Sequence, residues 1–169
     1  RRGIHADLYR ECAMAIFTID ASVFVNAFNP YEEGHTTSRQ FMRLVHDGPV
    51  PVIVPLLLLP ELAAAIGRGR QDANLAQEFA REVRELAHFT FVDIDETLAW
   101  QSVDVAAHQR LRGSDAVYAA VARRYNTTLV TLDQEQYARV GNVVTAQTPG
   151  EAVAALTTPE SPDEPDQEA

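Results

Sequence analysis

Residues 112–137 read "RGSDAVYAAVARRYNTTLVTLDQEQY". An almost wholly apolar helix, Ser114 to Tyr125, opens on Asp115, and a strand-like run over 127–132 ends on Asp133. Between Ala116 and Ala122 the Tyr118 hydroxyl is the sole polar side-chain group, which is the pattern of a helix buried on most sides. Asp115 therefore stands at the mouth of a packed layer. Ser114 is a good N-cap residue, and an acid in the first turn suits the helix dipole. Capping accounts for Asp115 taken alone, and a cap on a short turn accounts for Asp133. What the two acids do together depends on the rest of the chain.

The same alternation of strand and helix extends in both directions. "AMAIFTI" (13–19) reads as a buried strand, with a helix from Ala21. "TTSRQFMRLVHDG" (36–48) has a helical period ending on glycine; "PVIV" (51–54) is strand-like; "LLLLPELAAAIGRG" (56–69) is helical. Arg70 to Leu86 places Leu75, Phe79, Val83 and Leu86 on one helical face. "FTFVDI" (89–94) is a strand, Glu96 to Leu111 a helix, and "NVVTA" (142–146) a last short strand. Strands alternating with helices predict one three-layer α/β/α domain, 13–157, around a parallel, doubly wound sheet. Residues 1–12 read as an N-terminal extension. Residues 158–169 read as an acidic, disordered tail, since "PESPDEPDQEA" holds five acids, three prolines and no base.

At 169 residues the chain suits one full-sized domain. Net charge is −10, of which the tail supplies half, leaving about −5 for the body. All 14 basic residues are arginine. Such a balance does not advertise nucleic-acid binding, but a metal-dependent nuclease carries acids in its own site. The single cysteine, Cys12, leaves no internal disulfide and fits a cytoplasmic protein. The longest apolar run, "VPVIVPLLLLP", is broken by prolines and too short to span a membrane. The start "RRGIHADLYREC" lacks a secretory apolar stretch, and its lack of a methionine is what a segment of a longer chain would show.

In a doubly wound sheet, ligands bind beyond the carboxyl ends of the strands. Asp20 ends the first strand, Asp133 ends the fourth, Asp115 opens the helix before that strand, and Glu61 sits in an otherwise apolar helix. Individually, Asp20 could cap a helix and Glu61 could pair with Arg68 or Arg70. Jointly they are costly, because close carboxylates raise one another's pKa. A protein that keeps several on one edge normally holds a hard cation there. Oxygen-only ligands select Mg²⁺ or Mn²⁺ over Zn²⁺, and such an ion can activate water against a phosphodiester.

Taken in order, "IDASVFV", a glutamate in an apolar helix, "LRGSDAVYAAVA" and "TLVTLD" resemble the PIN-domain nucleases, over about Ala13 to Pro149. The resemblance implies a metal-dependent endoribonuclease using Mg²⁺ or Mn²⁺, with Asp20, Glu61, Asp115 and Asp133 as catalytic and metal-binding acids. Ser22 and Thr131 match supporting hydroxyl positions. Glu135, between Gln134 and Gln136, stands where a further acid is often found. The run "ELAAAIGRGR" is similar to the toxin nucleases of toxin–antitoxin pairs (the VapC type), implying RNA as substrate, a protein antitoxin as partner and a homodimer as one assembly. Arg68, Arg70, Arg112, Arg123 and Arg124 could line an RNA path, Arg68, Arg70 and Arg112 foremost, as bidentate guanidinium suits phosphate, or could equally be solvated faces or pair with the chain's many acids.

Two other readings compete. A PIN-like domain can lose catalysis and serve as an RNA-binding or assembly module; divalent-cation binding separates the two. "DIDET" (93–97) matches the D-x-D-x-T pattern of haloacid-dehalogenase-like phosphatases, with Asp93 as nucleophile and Asp95 as acid/base. That motif normally opens its domain, whereas here about 90 residues precede it. On the other reading, Asp93 and Asp95 end a strand and cap the next helix. His5, His35, His46, His88 and His108 have no metal-ligand spacing, and no glycine-rich phosphate loop follows a strand.

Overall fold

Phe17, Thr18 and Ile19 are buried on both sides of the pleat, as a central strand covered by two layers must be. The computed structural model describes residues 15–158. These three residues form β1 (Phe17–Ile19), followed by α1 (Ala21–Phe28), α2 (His35–Asp47) and β2 (Val52–Pro55). Then come α3 (Leu58–Arg70), α4 (Ala73–Arg84), β3 (Phe89–Val92), α5 (Glu96–Gln109) and α6 (Gly113–Tyr125). The chain continues through β4 (Thr128–Val130), α7 (Gln134–Val140), β5 (Ala146–Gln147) and α8 (Pro149–Thr157).

The sheet is all parallel in the order β3-β2-β1-β4-β5, with Phe17 opposite both Val52 and Thr128, and Ile19 opposite Val130. From β1 the chain steps outward to β2 and β3, then returns across β1 to β4 and β5. Right-handed crossovers therefore lay α1–α4 on one face and α5–α7 on the other. On the first face Phe41 of α2 meets Phe17 edge-on, with ring centroids 5.4 Å apart. On the second, α6 packs against β1, β2 and β4. Its alanines, Ala116, Ala119, Ala120 and Ala122, are fully buried and let the helix lie close to the strands. The reversal of winding sits between β1 and β4, so their carboxyl ends are the switch point.

The predicted architecture holds, and several boundaries move. The final strand is not 142–146: the Val143 and Val144 N–H groups both donate to the Val140 carbonyl, winding a turn after α7, and pairing begins at Ala146. The helix expected from Arg70 starts at Ala73. Gln71 takes a left-handed conformation (φ 53°) that ends α3, and Asp72 then caps α4 through Leu75 N–H. Ser114 is not the N-cap of α6. That helix starts at Gly113, its first intrahelical bond running from Ala116 N–H to the Arg112 carbonyl, and Arg112 at the cap makes no side-chain capping bond because a guanidinium has no acceptor. α7 and α8 were not expected. Residues 13–14, the N-terminal extension with His5 and Cys12, and residues 159–169 of the tail lie outside the described residues. Among the described residues no helix is long and apolar enough to cross a membrane.

Candidate acidic active site

Asp20 follows β1 and is the N-cap of α1, its Oδ2 accepting from Ser22 N–H at 2.9 Å. The capping role is thus real, but it uses one oxygen of a carboxyl that is only 7% exposed. Burial raises its pKa most. Hydrogen bonding by Ser22 opposes the shift, while the Glu61 and Asp133 charges add to it. Ser22 Oγ in turn accepts from Leu132 N–H at 3.2 Å, tying the start of α1 to the exit of β4. Fully buried Thr131 accepts from Asp133 N–H at 3.0 Å and fixes the backbone from which that acid projects.

Asp115 lies in the first turn of α6, and its pKa is raised to about 6. Burial is the largest cause, followed by the Asp20 and Asp133 charges; Arg112 works against them and Glu61 adds a little. An acid placed only for helix capping would not be held beside three others. Glu61 projects from α3 on the stripe Glu61, Ala64, Ala65 and Arg68, at the i, i+3, i+4, i+7 spacing of one helical face. Leu58, Leu62 and Ile66 bury the opposite stripe.

Asp20, Glu61 and Asp115 line one open cleft of about 1060 Å³, with Ser22, Arg68, Arg112, Ser114 and Gln134. Asp133 stands at its margin, capping α7 through Gln136 N–H (2.8 Å) with its other oxygen 3.9 Å from Arg112 Nη1. Among the described residues no three Asp, Glu, His or Cys side chains already surround a common point. Like charges stand apart, and Asp20, Glu61 and Asp133 are each held by their own donor. The donor set is all oxygen, as Mg²⁺ or Mn²⁺ requires.

Arg70, expected on the RNA path, lies outside the cleft, as do Glu135 and the aspartates of the D-x-D-x-T segment. Arg70, two residues and about 200° around the helix from Arg68, faces a neighbouring pocket and stacks over Phe28 at 5.8 Å. Glu135 pairs with Arg139 along α7 at 2.6 Å. Asp95 caps α5 through Leu98 N–H (2.7 Å) and pairs with Arg124 (3.3 Å), contacts that hold its pKa low. Neither it nor Asp93, which follows edge strand β3, lines the cleft.

Other site residues were not singled out from sequence. Tyr118, expected as helix core, is fully buried, yet its hydroxyl donates to Glu61 Oε2 at 2.6 Å. Burial and the Glu61 and Asp20 charges push its pKa far up, so it stays a donor. Gln136 is fully buried and donates to the Asp115 carbonyl at 3.1 Å. Glu32 and Glu33 add charge to the cleft wall, where buried Asn26 holds Glu32 Oε2 and the Glu33 carbonyl. A polar residue in or beside an apolar stretch was the available signal for Tyr118 and Asn26; nothing local marked the others.

The chain belongs to the PIN domain family, whose profile matches residues 17–142. No curated protein matches it. Among solved structures it is similar to Mycobacterium tuberculosis VapC20, a sarcin–ricin loop cleaving toxin, with 20% identity, TM-score 0.60, and coverage of 72% of this chain and 93% of that one. It is also similar to VapBC2 from Rickettsia felis bound to a promoter DNA fragment (15%, TM-score 0.59, 79% and 98%). A toxin–antitoxin complex from Klebsiella pneumoniae matches at 20% identity and TM-score 0.57, over 80% and 97%. At these identities the likeness is one of fold.

Proposed function

We propose that this chain is an endoribonuclease that hydrolyses RNA phosphodiester bonds with Mg²⁺ or Mn²⁺, and that it is the toxin of a type II toxin–antitoxin pair. The observation that carries the catalytic reading is the convergence of Asp20, Glu61 and Asp115 on one cleft at the switch point, with Asp133 at its margin. Their carboxylate oxygens are hard donors that would hold one such cation between them. Bound there, such an ion acidifies water and offsets the negative charge that builds on a phosphodiester under attack. The protein does the positioning. Ser22 fixes Asp20, Tyr118 fixes Glu61, and Thr131 fixes the backbone at Asp133. Arg68 and Arg112, on the cleft wall, supply positive charge for the flanking phosphates.

The toxin assignment is supported by the shared fold of VapC20 and the VapBC complexes, and by the PIN domain filling most of the described chain. It implies a protein antitoxin that silences the cleft, in the cytoplasm where RNA is the target. The test is cleavage of single-stranded RNA against Mn²⁺ concentration, with chelator and with Asp115→Asn as controls. Metal-dependent cutting lost in Asp115→Asn supports the reading. Equal cutting by both proteins, or cutting indifferent to chelator, refutes it.

A further inference from the structure

Tyr31 is 87% exposed, the most exposed large hydrophobic side chain among the described residues. It is nonetheless held by an ordered turn. Its N–H donates to Asn29 Oδ1 (3.3 Å), Asn29 Nδ2 holds Glu32 Oε1 (2.9 Å), and buried Asn26 clamps Glu32 and the Glu33 carbonyl from below. Gly34, at φ +78°, then turns the chain into α2. Four hydrogen bonds thus order the turn that carries this side chain.

Tyr31 walls a pocket of about 250 Å³ together with Phe28, Ile66 and Arg70. Val25, Ala65 and Glu32 line both this pocket and the acidic cleft, so the two are contiguous. Arg68 and Arg70, about half a turn apart at the same helix end, face the cleft and the pocket respectively. An exposed phenol ring, an apolar floor and a guanidinium beside a phosphodiester site are what an unpaired nucleobase and its phosphate require.

We propose that this pocket is a subsite for one unpaired base of the RNA strand, next to the bond cut in the cleft. The proposal rests on the ribonuclease reading. The base stacks on Tyr31 over the Val25, Ala65 and Ile66 floor, and Arg70 meets the phosphate that follows it. A base inside a duplex cannot reach the ring, so the subsite selects single-stranded or looped RNA.

The test is a double-mutant cycle between protein and RNA. Affinity of a short labelled single-stranded RNA is measured by anisotropy, with Ca²⁺ neutralising the carboxylates, for wild type, Tyr31→Ala and Tyr31→Phe. Each is repeated with an RNA series in which one nucleotide at a time is abasic. Tyr31→Ala should weaken binding about tenfold or more, and Tyr31→Phe within about twofold. One abasic position should weaken wild type but not Tyr31→Ala. Trp100→Ala, an exposed aromatic on the opposite layer, should change nothing. With Mn²⁺, Tyr31→Ala should raise KM and leave kcat near wild type. Wild-type cleavage combined with unchanged Tyr31→Ala affinity, or abasic losses equal in both proteins, overturns the subsite alone. Wild type that neither binds nor cuts RNA overturns the subsite and the ribonuclease reading together.

Discussion

The Gln136 side-chain amide donates to the backbone carbonyl of Asp115 across 3.1 Å, while the Gln136 N–H is held by Asp133 Oδ1 at 2.8 Å. One buried residue thus couples the helix starts that carry two of the four acids. Gln136→Met, close in volume, deletes the amide and keeps the packing. It should cost about 1 kcal/mol in denaturant unfolding and lower RNA cleavage by more than that loss of folded protein explains. Unchanged cleavage at full folding would show that the coupling is only structural.

Asp115 gives a signed pH prediction. Its folded pKa, about 6, lies above the usual 3.8, so the folded state holds this proton more tightly than the unfolded one. The stability from this group is present at low pH and is lost as pH rises from about 4 to about 6. The face-value cost above that range is about 3 kcal/mol, and solvent screening of a half-exposed carboxylate reduces it to about 1–2 kcal/mol. Metal-free Asp115→Asn should therefore be more stable than wild type at pH 7.5, and the difference should vanish near pH 4. Added Mn²⁺ should raise the wild-type Tm more than that of the variant. Parallel pH curves for the two proteins would contradict this.

Tyr118→Phe removes one oxygen from a buried ring and frees the Glu61 carboxylate to turn. The variant should fold, with a Tm a few degrees lower at most. Half-saturation by Mn²⁺, read from cleavage and from metal-induced thermal shift, should rise roughly tenfold, as is common when an outer hydrogen bond to a ligand is lost. The same Mn²⁺ dependence in both proteins would remove Tyr118 from the site's support.

The D-x-D-x-T segment should be silent in catalysis. Asp93→Asn is expected to leave RNA cleavage within about twofold of wild type, since surface changes away from a site do little. Wild type should not hydrolyse a phosphomonoester such as p-nitrophenyl phosphate. Hydrolysis that disappears in Asp93→Asn would restore the phosphatase reading.

The layer order was legible because buried parallel strands are written as short apolar runs, as in "FTI" and "PVIV", and α6 as an unbroken apolar face. The strand-end acids Asp20 and Asp133 were legible for the same reason, each marking where an apolar run stops. Asp115 was harder, since Ser114 offers a cap that the helix does not use. The α3–α4 break was hidden because Gln71 adopts a left-handed conformation more typical of glycine. The last strand was misplaced because Val143 and Val144 are β-branched, yet their N–H groups are spent on the turn after α7. Tyr118 to Glu61 and Gln136 to Asp115 are contacts between distant segments, which no local pattern encodes.

The sheet order also sets when the cleft can exist during synthesis. Asp20 and Glu61 emerge from the ribosome before β4, which must then slot back against β1, a strand made more than 100 residues earlier. Until residues 128–133 are out and paired, Leu132 cannot reach Ser22, and Asp115 and Asp133 have no fixed place beside Asp20. A nascent chain ending before residue 128 carries at most three of the four acids and lacks the strand that places them beside Asp20. Any activity this cleft supports must therefore wait until β4 has left the ribosome and paired with β1.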